Sequence, residues 1–200
     1  PELGWTGADK DRPPPGAAPV GPPPDHDGSD RWSTGLGRFV SLPLHLSDVV
    51  EEVETLRASM GGTDAPWDLL VQAARWHDLG KVHEAFQTML TAGVEDVAAL
   101  ECAPPFAKSD GRSRSRCSRP HFRHELASAL SWLDQGGDDL TAYLIAAHHG
   151  KIRLHLRPRP TEPREVEGRS VVLGVIDGEV LPAADLGGGI QVPATRMNLR

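Results

Sequence analysis

His77-Asp78-Leu79-Gly80-Lys81 is the stretch on which the reading of this chain turns. Neighbouring His and Asp side chains leave a helix about 100° apart, so the pair can approach one cation from two directions while the second carboxylate oxygen reaches another. Lys81, three residues past Asp78 and four past His77, returns to the same helical face, where its ammonium would meet a phosphate oxygen. Upstream, Leu69, Leu70, Ala73 and Trp76 carry an apolar face, and Asp64 with Pro66 just behind it supplies a helix start. The dipeptide therefore falls near a helix end.

The same periodicity recurs on both sides. Val49, Val50, Val53, Leu56 and Met60 predict a helix from Leu46 to the Gly61-Gly62 stop, with His45 heading its buried stripe. Ala85, Phe86, Met89 and Leu90 predict a shorter helix, and residues 102–120 a basic loop. Phe122, Leu126, Ala129, Leu130 and Leu133 mark another helix with His124 in its first turns. Leu140, Tyr143, Leu144 and Ala147 mark the last, which starts at Asp138 or Asp139 and ends at His148-His149-Gly150. Past Arg157 the texture turns to β: Val171–Ile176 and Glu179–Leu181 flank Asp177-Gly178, a favoured hairpin turn. The fold class is mainly α, a helical bundle with a small C-terminal β-hairpin segment. Trp76 and Trp132 lie on helical faces and read as structural.

Two hundred residues can bury one core, but the 18 Pro and 21 Gly are unevenly placed. Residues 1–35, with Pro13-Pro14-Pro15 and Pro22-Pro23-Pro24, bury too little to offset chain entropy and read as a semi-extended, disordered linker. Residues 36–157 form the main domain, and 158–200 a truncated β-containing insertion or appendage. A start at Pro1 without Met and the ending Met197-Asn198-Leu199-Arg200 predict a piece of a longer polypeptide. The net charge of -7 argues against nucleic-acid binding over the whole surface, although 12 of the 21 Lys and Arg fall between Lys108 and Arg169. Cys102 and Cys117 are too few for a disulfide framework or a zinc site, which fits a reduced, cytoplasmic setting. No apolar run reaches the roughly 18 residues of a membrane span, and no signal segment opens the chain.

Nine histidines occur. His45, His77-Asp78, His124 and His148-His149 all lie at helix starts or ends, on four separate helices that could converge. Imidazole and carboxylate ligands suit Mn, Fe, Co, Ni or Zn better than Ca or Mg. His121 reads as solvent-exposed rather than as a phosphate contact, His83 and His155 as structural, and His26 as part of the linker. The run Arg112, Arg114, Arg116, Arg119 and Arg123 either follows a nucleic-acid backbone or is a solvated loop. Lys151 and Arg153, just after the His pair, are better placed for substrate.

These motifs, in this order, resemble the HD-domain metal phosphohydrolases, and most closely the HD nuclease domain of the CRISPR-associated type I nuclease-helicase. An early His45, His77-Asp78 with Lys81, a single His124 and His148-His149-Gly150 carry the likeness. Ala73-Ala74-Arg75-Trp76, Ala85-Phe86-Gln87 and Ile145-Ala146-Ala147 agree with it, over roughly residues 40–155. The resemblance implies two divalent transition-metal ions (Mn, Ni, Co or Fe, with Mg admitted) bridged by Asp78. His45 and His77 would complete one site, and His124, His148 and His149 the other. It further implies catalysis by Asp78 and Lys81, with Lys81, Lys151, Arg153, Arg119 and Arg123 meeting substrate. The substrate implied is single-stranded DNA, fed by a helicase in the same parent chain or as a partner, after an RNA-guided surveillance complex has opened the target. No GxxxxGK[ST] loop occurs, so unwinding is not a property of this chain.

The family's last ligand is an Asp on a late helix, and no helix is predicted after Gly150. Neither Asp177, in a turn, nor Asp185, before Gly187-Gly188-Gly189, fits that role. The expectation is an Asp beyond Arg200 and a weaker His45/His77 site. Two rivals remain: an HD phosphohydrolase acting on nucleotides or cyclic dinucleotides, and a non-catalytic docking module. A nucleotide enzyme needs a closed pocket where a strand nuclease needs an open basic groove, and a docking module has no physical need of His77, Asp78 and Lys81.

Overall fold

In the computed structural model, residues 37–60, 65–111, 117–150 and 156–199 are described. They are mainly helical: α1 (Leu42–Met60), α2 (Trp67–Trp76), α3 (Glu84–Thr91), α4 (His124–Asp134) and α5 (Asp139–Ala147). A two-stranded ribbon, β1 (Val40–Ser41) and β2 (Phe106–Lys108), ties the chain ahead of α1 to the middle of the sequence. It is antiparallel, with Val40 opposite Lys108 and Ser41 opposite Phe106.

α1 begins four residues earlier than its valine stripe predicts. Pro43 is tolerated because a first-turn residue has no intrahelical acceptor for an N–H, and the Leu42 N–H donates to the Pro105 carbonyl at 2.7 Å. Leu42 and Leu46 are fully buried, each contributing about 2 kcal/mol by leaving water. They fix the register in which His45, between them, faces inward beside Asp78.

α4 is the central element. Every residue from His121 to Ser131 is buried, and the helix packs against α5, against the turn 79–82 and against the C-terminal strands. Small residues make this approach close: Ala127 and Ala129 lie in the core with Leu126 and Leu130. Trp76 of α2 and Trp132 of α4 meet edge to face, with ring centres 5.1 Å apart.

The C-terminal strands correct one expectation. Asp177-Gly178 does not close a hairpin. Instead β3 (Glu165–Val166), β4 (Arg169–Val172) and β5 (Val175–Ile176) form a meander. Its tight turns are Glu167-Gly168 and Leu173-Gly174, all four residues with positive φ. That is the handedness a two-residue hairpin demands, but Leu173 is not a residue that advertises it. β6 (Glu179–Leu181) pairs with β9 (Thr195–Met197), enclosing β7 (Ala184–Asp185) and β8 (Gln191–Val192). Leu173, Val175, Leu181, Leu186, Val192 and Met197 belong to the same core cluster as the helices. No helix among the described residues is long and apolar enough to cross a membrane.

Candidate metal centre

His77 is the residue that ends α2, and Asp78 opens a short 3-10 turn, Leu79–Val82. The pentapeptide is thus not α-helical throughout. In a 3-10 turn side chains three apart eclipse, which brings the Lys81 ammonium to 2.8 Å from Asp78 Oδ2. The turn is pinned from two sides. The Gly80 N–H donates to Ser128 Oγ at 2.7 Å, and that hydroxyl donates to the His124 carbonyl at 2.8 Å. On the other side the Gln87 amide donates to the Lys81 carbonyl at 2.7 Å and to the Phe106 carbonyl at 2.9 Å, and its oxygen accepts the Phe106 N–H at 2.8 Å. Gln87 therefore locks the turn to β2.

The structure brings all six expected ligands together. Asp78 Oδ2 lies 3.1 Å from His45 Nε2 and 3.3 Å from His77 Nε2. Asp78 Oδ1 lies 3.0 Å from His124 Nε2 and 3.7 Å from His148 Nε2. His149 Nε2 faces His124 Nε2 at 3.1 Å. Two donor groups result, His45/His77/Asp78 and His124/His148/His149, each with one ligand atom per residue within 4.8 Å of the others.

The tautomers show what this arrangement suits. His77 Nδ1 is 2.7 Å from the Ala74 carbonyl, and His148 Nδ1 is 2.7 Å from the Ile145 carbonyl. A carbonyl only accepts, so each Nδ1 carries a hydrogen, and in its neutral form each ring turns a bare Nε2 lone pair toward the carboxylate. His148 Nε2 is buried without a hydrogen bond. A lone pair aimed at a carboxylate oxygen is repulsive unless positive charge lies between them. Separations of 3.0–3.3 Å for His45, His77 and His124 match those of two ligands on one ion, about 3 to 3.6 Å for bonds near 2.1 Å, and His148 at 3.7 Å lies just beyond. Nδ1 bonded to a backbone carbonyl is also the usual support of a ligating imidazole. These residues fit divalent cations.

The electrostatics agree. Burial alone would raise the Asp78 carboxyl, but the Lys81 ammonium, His77 and the ring contacts of His124 and His45 outweigh it and hold the group well below the carboxylate range. Burial lowers His45, against the pull of Asp78. Burial lowers His148 to about 3, again against Asp78. Both rings favour the neutral, ligating form.

The expected substrate contacts are placed differently. Lys81 is 2% exposed, so its ammonium is spent on Asp78 rather than offered to solvent. Arg119 donates to Glu179 through both terminal guanidinium nitrogens, and Arg123, buried, donates to Glu125 at 2.9 Å. Both arginines are thus paired with carboxylates. Lys151, Arg153, Arg112, Arg114, Arg116, His155 and His26 lie outside the described residues. His121 is buried, not solvent-exposed, at a φ of 65° and bonded to Thr161. His83 caps α3, its Nδ1 accepting from the Ala85 N–H, while its Nε2 reaches Glu179 at 3.2 Å. Asp177 accepts from the Leu199 N–H and Asp185 from the Gly187 N–H. Asp177 thus ties down the chain end after β9 and Asp185 closes a local turn, and neither belongs to the donor groups.

Two contributors escaped the sequence reading. Glu125 follows His124 directly and neutralises Arg123 inside the core. Lys108, on β2, stands beside the carbonyl that holds Lys81. A family model described as "Cas3, HD domain" matches residues 33–173. No curated protein and no solved structure matches the chain.

Proposed function

This chain belongs to the Cas3 HD-domain family, a family of HD-type nucleases of CRISPR systems, and from that premise we propose that it hydrolyses phosphodiester bonds of single-stranded DNA. In this reading it is the nuclease part of a type I nuclease-helicase that acts after an RNA-guided complex has opened the target. The observation that carries the proposal is Asp78: one buried carboxylate with His45 and His77 on one oxygen and His124 and His148 on the other.

Divalent ions held by these two groups would supply Lewis acidity and a water acidic enough to attack phosphorus. The protein's own part is preorganisation. Lys81, His77 and the ring contacts of His124 and His45 keep Asp78 ionised, so the carboxylate would be available to the cations. Carbonyls 74 and 145 hold His77 and His148 in the ligating tautomer. Gly80, Ser128 and Gln87 fix the turn that carries Asp78 against α4 and β2, so the donor atoms need little reorganisation.

The test is an assay of a labelled single-stranded oligonucleotide with Mn, Ni or Mg, beside Asp78→Ala and a chelator control. Metal-dependent cleavage that Asp78→Ala abolishes supports the proposal. Turnover of nucleotides or cyclic dinucleotides with intact DNA would replace it with the small-molecule reading.

A further inference from the structure

Lys81 has no free direction left. Its ammonium lies 2.8 Å from Asp78 Oδ2, 3.3 Å from the Ala107 carbonyl and 5.5 Å from the centre of the Phe86 ring. Reaching a substrate phosphate would strip Asp78 of its counter-charge. The charge expected at the scissile group must come from elsewhere.

β2 carries a second lysine, Lys108, next to the residue whose carbonyl holds Lys81. Three bonds, about 4 Å of path, separate the Ala107 oxygen from the Lys108 Cα, and that oxygen is 3.3 Å from Lys81 Nζ. The Lys108 side chain is long enough to reach back over this distance. It is partly exposed and makes no side-chain hydrogen bond or ion pair among the described residues. Its position is set on both sides: Val40 pairs with it across the ribbon, and Gln87 clamps Phe106 two residues before it. Its electrostatic surroundings report the proximity. Burial lowers its ionisation first, then the like charge of Lys81, with Asp78 acting in the opposite sense.

We propose that Lys108, not Lys81, is the ammonium that meets a phosphate of the substrate strand at the metal centre, Lys81 being a positioning residue for Asp78. This rests on the strand-nuclease reading and adds to it the residue that contacts the backbone. The division of labour is physically sensible. A lysine buried in an ion pair orients a ligand, whereas a half-exposed lysine can exchange water for a phosphate oxygen at little cost.

The test measures binding as well as turnover. A fluorescent single-stranded oligonucleotide is titrated with the 200-residue chain in EDTA, over a series of salt concentrations, for wild type, Lys108→Gln, Lys108→Arg and Lys81→Met. We expect Lys108→Gln to weaken binding several-fold and to reduce the salt slope by about 0.7, the increment for one single-strand phosphate contact. Its melting temperature should be unchanged and its Mn affinity should not fall, and Lys108→Arg should restore the slope. Lys81→Met should melt lower in EDTA and leave the slope intact. Strand binding by wild type with an unchanged slope in Lys108→Gln overturns the assignment of Lys108 alone. A wild-type chain that fails to bind the strand overturns the strand-nuclease reading with it. If Lys81→Met does not fold, the two Lys108 variants still decide the question.

Discussion

Gly80 and His124 meet backbone to backbone: a Cβ on Gly80 would stand 2.1 Å from the His124 carbonyl oxygen and 2.9 Å from the Ala127 Cβ. The glycine of the pentapeptide is therefore there for approach rather than for an unusual φ. Without it the turn carrying Asp78 could not rest on the helix carrying His124, and the carboxylate could not reach both halves of the centre.

Gly80→Ala must push that turn off α4, because the obstructing atoms, the His124 carbonyl and the Ala127 Cβ, cannot rotate away. Overpacking of this kind costs about 1 to 3 kcal/mol. The urea midpoint should fall accordingly, and Mn affinity should fall with it as Asp78 leaves His124. A Gly80→Ala protein with wild-type midpoint and wild-type Mn affinity would show that the contact does not set the site.

Lys81→Met tests the buried pair. Removing one partner of a buried ion pair costs about 3 to 5 kcal/mol, because the other charge is left uncompensated. In EDTA the variant should melt well below wild type. Mn should recover part of the loss, since bound cations replace the missing positive charge at Asp78. Equal melting temperatures in EDTA would mean that Asp78 is stabilised chiefly by its imidazoles.

The sequence carries this centre in plain view because each ligand sits in a short motif at a helix terminus, where chain direction changes and side chains converge. The contacts that assemble it are less visible. Nothing in the order of residues says that Gln87 spans Lys81 and Phe106, or that Lys81 bends back onto Asp78 in a 3-10 turn. Charge runs mislead for a related reason. Arg119 and Arg123 look available until Glu179, from a distant strand, and Glu125, two residues on, are brought against them. The Asp177-Gly178 expectation failed because a turn is chosen by strand pairing as well as by its own residues. Core burial of Leu173 and Val175 outweighs the cost of a leucine at positive φ.

Glu179 makes stability depend on pH away from the metal centre. Burial would raise its carboxyl, but His83 and Arg119 bring it down from 4.5 to about 2. A carboxyl depressed on folding contributes stability that is present above its unfolded value and is lost as pH falls through the folded one. Between pH 4.5 and about 2 the advantage of wild type over Glu179→Gln should therefore shrink to nothing. At neutral pH it should be on the order of 1 kcal/mol, after discounting for solvent screening of a partly exposed network. Urea melts of both proteins at pH 6 and pH 2.5 measure this. A gap that does not narrow in acid would place the contribution of Glu179 in packing rather than charge.

The two halves of the centre are unequal, and metal titration should show it. His124, His148 and His149 supply three imidazoles and share Asp78 Oδ1, whereas among the described residues His45 and His77 have only Asp78 Oδ2 as a further donor. Each further neutral nitrogen donor adds affinity for late transition metals, and a site with three donors leaves more of the ion's shell to water. Calorimetric titration with Mn or Ni should accordingly resolve one tight and one weaker event. His149→Gln should weaken the tight event and spare the weak one, and His45→Gln should do the reverse. Two sites of equal affinity, or a His149→Gln variant that leaves the tight event untouched, would show that Asp78 and water, rather than the count of imidazoles, set the order of filling.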